Sequence, residues 1–276
     1  VIGLGLIGGS IALDLKGRGF ASRVIGVDIK RDNGETALRR GLVDELATLV
    51  DGINKGDLII AAVPADAAIK LLPEILNRSE GKTVTDMCSV KEQIANLLID
   101  NKNRKQYVAS HPMAGTEFSG PEAALPGLFD GKRAIICDKN LSGKESLDIV
   151  KRMYSALNMK ITYMKSSDHD IHAAFVSHIS HISSFVLALT VLEKERNEKK
   201  IFEMASGGFE STVRLAKSSP GMWVPVFDQN RENILIVLRT YIKKLNDFER
   251  LITERDSDGL FSVIREANKI RDILKR

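Results

Sequence analysis

Short apolar runs and helical stretches alternate along the first 165 residues. The runs Val24–Asp28, Leu58–Val63, Thr83–Asp86, Tyr107–Ala109, Arg133–Cys137 and Ile161–Met164 are rich in Val and Ile and show little polar alternation. That pattern predicts strands covered on both faces, as in a parallel sheet. Between them, Leu6–Lys16, Gly34–Arg40, Ala65–Leu76, Val90–Ile99 and Lys144–Leu157 fit helices. Strand and helix in alternation predict a doubly wound α/β sheet.

After Lys165 the strand-like runs stop. Long helical stretches are expected over Asp168–Glu195, Met222–Glu254 and Asp256–Lys275, with Ser206-Gly207-Gly208-Phe209 as a break. The expected organisation is a Rossmann-type domain over residues 1–165 followed by an all-helical domain over residues 166–276. In the first long helix, Ile171, Phe175, His178, Ile182, Phe185 and Leu189 fall on one face, which reads as core. Ala174, Ser177, His181, Ser184 and Ala188 form a smaller, more polar stripe beside it. Such a stripe packs against another backbone or lines a cleft.

Composition narrows the function classes. Hydrophobic content of 43%, charged content of 28% and a net charge of +4 suit a globular chain. Basic residues are interleaved with acids, as in Glu193-Lys194-Glu195-Arg196, which argues against a nucleic-acid surface. No run of about 18 uncharged apolar residues is seen, so no membrane-spanning helix is expected. Cys88 and Cys137 lack metal-like spacing and read as reduced, cytoplasmic thiols. The chain opens inside a strand without an initiator Met, so a few preceding residues are expected, and nothing reads as a targeting peptide. The length leaves no room for an additional regulatory domain.

Val1-Ile2-Gly3-Leu4-Gly5-Leu6-Ile7-Gly8 carries the spacing G-x-G-x-x-G, and Asp28 ends the next apolar run. In this context the first glycine makes a tight turn, the second admits a pyrophosphate and the third lets the helix pack on the sheet. The helix start at Leu6 and Ile7 offers free N–H groups to phosphates. Asp28 is placed to accept from a ribose hydroxyl, which favours NAD over NADP, although Lys30 and Arg31 lie close by. Ala62-Val63-Pro64 ends another strand, where small residues let a flat ring pass. The candidate cofactor contacts are Gly3, Gly5, Leu6, Ile7, Gly8, Asp28, Val63, Pro64 and Asp86.

Other residues are candidates for chemistry. His111 follows a strand in Ser110-His111-Pro112-Met113-Ala114-Gly115-Thr116-Glu117 and suits acid–base work, or caps a loop carbonyl. Ser89 caps the helix beginning at Val90 or donates to a ligand. His169 and His172, like His178 and His181, stand three apart, yet no third or fourth ligand joins them and no metal is expected. Arg214 is either a surface charge or a fork for a carboxylate.

Taken together, these segments resemble the prephenate dehydrogenase family, including its arogenate-using relatives. The carriers are the glycine segment, Thr85-Asp86-Met87-Cys88-Ser89-Val90-Lys91, the His-Pro-Met-Ala-Gly-Thr-Glu loop and Val176-Ser177-His178-Ile179-Ser180-His181. Gly207-Gly208-Phe209 and the stretch from Arg214 to Trp223 complete them. The resemblance implies an NAD-dependent oxidative decarboxylation of a cyclohexadienol. It implies that His111 takes the ring hydroxyl's proton and that Ser89 helps orient that hydroxyl. His181, Arg214, Glu117 and Trp223 are then substrate-side residues, with Arg214 on a carboxylate. Some relatives carry an acid three positions before this arginine, where this chain has Ser211. The resemblance also implies a dimer through the helical domain, with Trp223 reaching toward the partner's site. Prephenate and arogenate are not separated by any residue. Two rivals are a hydroxyacid dehydrogenase with a helical-domain lysine as its acid–base, and a non-catalytic NAD-sensing protein.

Overall fold

A computed structural model describes residues 1–198 and 201–274. Ile2 bridges Val27 on one side and Ala61 on the other, so the opening residues join two parallel ladders. One ladder pairs β1 (Ile25–Gly26) with β2 (Glu45–Leu46). The other contains β3 (Leu58–Ala61), β4 (Thr83–Asp86), β5 (Tyr107–Pro112), β6 (Arg133–Cys137) and β7 (Lys160–Met164), in that order. Every residue of β4 is buried, although three of the four (Thr83, Thr85 and Asp86) are polar, as suits a strand covered on both faces whose polar groups are hydrogen-bonded inside.

Six helices flank the sheet: α1 (Leu6–Gly17), α2 (Arg31–Arg39), α3 (Leu49–Lys55), α4 (Ala65–Arg78), α5 (Glu92–Leu98) and α6 (Lys144–Ala156). One apolar cluster gathers Leu72, Ile75, Leu76 and Ile94 with Val84 and Tyr107. Another gathers Ile11, Leu15, Val150 and Tyr154 with Val108 and Ile136. The β2 and α3 elements were not expected. Both are short, and α3 is signalled only by Thr48, whose hydroxyl accepts from Asp51 N at 3.1 Å.

Two strands, β6 and β7, depart from the all-parallel expectation, since β7 runs parallel to β6. β5 and β6 run antiparallel, with His111 opposite Ile135. The segment between them holds only a 3₁₀ turn, Pro121–Ala123, and no crossover helix to carry the chain back. That segment is tied to α1 instead: Leu125 N donates to Ser10 Oγ at 3.0 Å, and Gly127 N to the Asp14 carboxylate.

The helical part begins with α7 (Ser166–Ala173), a π-helical turn (Ala174–His178) and α8 (Ile179–Glu198). The π turn overturns the expected core stripe. It inserts an extra residue per turn, so positions before and after it no longer share a face. Ile171, Phe175 and Leu189 of that stripe are 42%, 50% and 65% exposed; His178 is buried as expected, and so are Ala174 and Ser184 of the neighbouring stripe. The stretch Ser166–Glu195 also has a mean hydropathy of 1.7 in its best window, so by length and composition a helix apolar enough to cross a membrane does exist. The glycine pair, expected as a break, opens a short helix, α9 (Gly207–Val213). Then come α10 (Pro220–Gln229) and α11 (Arg231–Thr253), divided at Asn230, and α12 (Ser257–Ala267) and α13 (Ile270–Leu274).

By internal contacts the chain forms two compact units, Val1–Arg231 and Glu232–Arg276. In the first, α7 to α10 lie with the sheet: Trp223 and Val226 pack on Ala65 and Val90. In the second, α11 turns into α12 at Asp256, whose carboxylate accepts from Gly259 N at 2.9 Å.

Candidate active site

The glycine turn has the geometry that a dinucleotide needs. Gly3 has φ +88°, and a Cβ there would sit 2.5 Å from the Ala62 carbonyl oxygen. A Cβ on Gly8 would sit 1.9 Å from the Gly3 oxygen, so only glycine lets α1 start this close to the strand. At Gly5 a Cβ would meet nothing within 4 Å: this backbone faces open space, as it must for a phosphate to approach. No side chain caps α1 and no acid lies in its first turn, which leaves the N–H groups near Leu6 and Ile7 to a ligand. The residues present therefore fit NAD.

Asp28 follows β1 and is fixed by backbone. Its carboxylate accepts from Leu4 N and Lys30 N, both at 2.8 Å. Arg31 is turned to Glu35 at 2.6 Å. Val63 and Pro64 lie at the end of β3, partly or fully exposed, beside the glycine turn. Asp86 is put to another use than the cofactor contact expected of it. It has no exposed surface; it pairs with Lys91 Nζ and accepts from Tyr107 OH at 2.6 Å and Cys88 N at 3.1 Å. Lys91 Nζ also donates to the Ser110 carbonyl at 2.7 Å. Burial opposes the lysine's charge, but Asp86 outweighs it and the pKa is raised.

His111 lies within β5, one residue from its end, and not in the loop beyond. Its Nδ1 is 2.9 Å from His169 Nε2, and His169 Nδ1 is 2.7 Å from Asp170 Oδ1. These two partners on α7 escaped the sequence reading. No local signal marked them, because Ser166-Ser167-Asp168-His169-Asp170 is polar throughout and reads as an exposed helix start. Burial, then the charges of His169, Lys91 and His178, hold the His111 pKa well below 6.5. The ring is thereby kept neutral, the form that can accept a proton.

Asp170 does more. Its carboxylate accepts from Lys91 N at 2.8 Å and Glu92 N at 2.9 Å, so it caps α5. This corrects Ser89 as the cap. α5 starts two residues later than expected, and the half-buried Ser89 hydroxyl has no hydrogen-bond partner among the described residues.

Arg214 and Glu117 are brought together: Nη1 to Oε2 is 3.1 Å. Glu117 thus supplies the acid missing at Ser211, whose hydroxyl donates to the Gly208 carbonyl. His181 donates Nδ1–H to the Ser177 carbonyl at 3.0 Å, and its pKa is lowered, mainly by burial. Its ring stacks on Trp223 with centroids 3.6 Å apart. Trp223 is 6% exposed in its own chain, held by His181, Ala65 and Val90. The histidine pairs do not converge as ligands, since His169 turns to His111 and His178 to Asn230.

Comparison with known proteins decides the family. Residues 11–163 match "Prephenate dehydrogenase, nucleotide-binding domain", and residues 165–266 match "Prephenate dehydrogenase, dimerization domain". The chain belongs to the prephenate dehydrogenase family. It is an NAD-dependent oxidoreductase of that family. A prephenate dehydrogenase of Lactococcus lactis is 30% identical over 100% of this chain and 77% of its own length. The Aquifex aeolicus prephenate dehydrogenase, solved with hydroxyphenyl propionate and NAD+, is 31% identical. It aligns with a TM-score of 0.87 over 99% of this chain and 96% of its own. A Synechocystis arogenate dehydrogenase is 27% identical, with a TM-score of 0.77 over 98% and 97% of the two chains.

Proposed function

We propose that this chain oxidises and decarboxylates prephenate to 4-hydroxyphenylpyruvate, in tyrosine biosynthesis, with arogenate as the alternative substrate. The observation that carries the reading is the chain His111–His169–Asp170. An Asp170 carboxylate accepts only, so His169 places its proton on Nδ1. Its Nε2 then accepts from His111 Nδ1–H, and the lone pair of His111 Nε2 is left for the substrate.

Bound NAD supplies the hydride acceptor. His111 Nε2 takes the ring hydroxyl's proton as hydride leaves the same carbon, and Asp170 steadies the positive charge that spreads over the two rings. The ring carboxylate then leaves as carbon dioxide, and its bonding pair makes the ring aromatic. Ser89 orients the hydroxyl. Arg214 binds a substrate carboxylate in competition with Glu117, an ion pair open to solvent on the arginine side and therefore weak enough to exchange. His181 and Trp223 form the wall beside the substrate side chain. Gly3, Gly5, Leu6, Ile7, Gly8, Asp28, Val63 and Pro64 hold the cofactor, Asp28 through the ribose hydroxyls.

We also propose that the division near residue 165 separates the cofactor domain from a substrate and dimerisation domain, and that the protein is a homodimer. The match to a dimerization domain and the exposed Val186, Leu189 and Leu192 of α8 support this. The two free, buried cysteines suit the cytoplasm. The test is growth of absorbance at 340 nm with NAD and each substrate in turn. We expect turnover with prephenate. Turnover with arogenate alone would exchange the substrate, and none with either would overturn the reading.

A further inference from the structure

Asn230 separates α10 from α11, and 3% of it is exposed. Its Nδ2 donates to the Asp170 carbonyl at 2.7 Å and lies 3.2 Å from His178 Nδ1. The carbonyl decides which end of the amide faces inward, because an oxygen there would meet another acceptor. An amide NH2 only donates, so His178 Nδ1 accepts and carries no proton. Burial above all lowers the His178 pKa to about 4, so the ring is neutral near pH 7 and its proton sits on Nε2. That N–H is buried and meets no acceptor among the described residues. Native proteins rarely leave such a donor unused.

Its surroundings point to a use. The His178 ring stands edge-on to Trp223, with centroids 5.8 Å apart, and Trp223 stacks on His181. Through Asn230 the ring is also tied to the Asp170 carbonyl, next in the chain to His169, which meets His111. The ring that carries this donor therefore touches the wall assigned to the substrate side chain and is linked to the segment that holds the proposed proton acceptor. The π turn delivers it there: His178 is its last residue and has no exposure.

We propose that Asn230 and His178 form a positioning pair for the substrate: Asn230 fixes the His178 tautomer, and His178 Nε2–H donates to a carboxylate or keto oxygen of the bound molecule. This rests on the reaction proposed above and adds two residues to it.

Two measurements test it. In the substrate-free protein, nitrogen-15 spectra of the histidines should show His178 protonated on Nε2. In Asn230→Asp, where a carboxylate now accepts from Nδ1–H, the tautomer should reverse. In kinetics, His178→Met fills the space without a donor and should raise KM for prephenate about tenfold. His178→Gln keeps an NH2 near the Nε2 position and should recover most of that loss. KM for NAD should stay the same in both. A parent His178 protonated on Nδ1 would overturn the pairing. Equal KM values for the Met and Gln variants would overturn the donor role and leave a bound water as its acceptor. If Asn230→Asp fails to fold, the parent spectrum and the two His178 variants still decide. If the parent turns over neither substrate, the reaction reading fails, and the spectra test the tautomer independently.

Discussion

The proposed base, His111, owes its neutral state to its surroundings. Burial and the nearby His169 and Lys91 disfavour the imidazolium, so its pKa falls well below 6.5. Catalysis needs the neutral ring, so activity should be flat from about pH 6.5 upward and fall only at more acidic pH. This moves the inflection below the unperturbed value of about 6.5 that the residue type alone suggests. His111→Asn keeps a hydrogen bond but takes no proton; kcat should drop about a hundredfold or more with KM little changed. Near-normal turnover in that variant would place the proton acceptor elsewhere. Asp28 sets the cofactor on the same scale. Its carboxylate, pinned by Leu4 N and Lys30 N, suits ribose hydroxyls and repels a phosphate. Asp28→Ser should narrow or reverse the preference for NAD over NADP in kcat/KM, and an unchanged ratio would remove Asp28 from the cofactor site.

At the scale of elements, α7 organises the centre. Asp170 caps α5 and orients His169 with one carboxylate, and its carbonyl is held by Asn230. Asp170→Ala should therefore cost stability and rate together. Loss of the cap is worth about 1 kcal/mol, read as a lower melting temperature, and His169 becomes free to take the other tautomer. A variant that loses stability but keeps kcat would confine Asp170 to the cap. The π turn is the second element that matters. Removing Val176 should restore a regular α-helix from α7 into α8 and rotate His178 out of the cleft. The expected result is a folded protein with a raised KM for substrate and an unchanged KM for NAD.

At the scale of the whole molecule, Val186, Leu189 and Leu192 on α8 and Phe261, Ile264, Ile270 and Ile273 in the second unit are all at least 47% exposed in the single chain. Apolar faces of this kind are covered in solution, and a two-fold dimer is the commonest way. Sedimentation at micromolar concentration should give about twice the 30.4 kDa chain mass. A single-chain mass would contradict the assembly. Buried neutral histidines also tie stability to pH. His178 titrates at about 4 in the folded chain and near 6.5 unfolded. Its contribution is thus complete above about pH 6.5 and is lost as pH falls toward 4, by roughly 3 kcal/mol at the low end. The melting temperature should fall over that window, and less steeply in His178→Gln.

The sequence by itself determined the parts that depend on local pattern. β-branched residues specified Thr83–Asp86 and Arg133–Cys137 as strands at their observed limits. Glycine spacing specified the turn at Gly3–Gly8, because φ and steric clearance are properties of a few neighbouring residues. His111, Glu117 and Arg214 were legible as candidates through their motifs. Only the tertiary structure decided what depends on distance along the chain. His169 reaches His111 across the helical and sheet parts, Glu117 meets Arg214, and Lys91 withdraws Asp86 from the cofactor. It also decided the face of the first long helix, since a single π turn shifts the register on which periodicity relies. Likewise, the direction of β6 followed from the loop tied to α1, for which no local pattern codes.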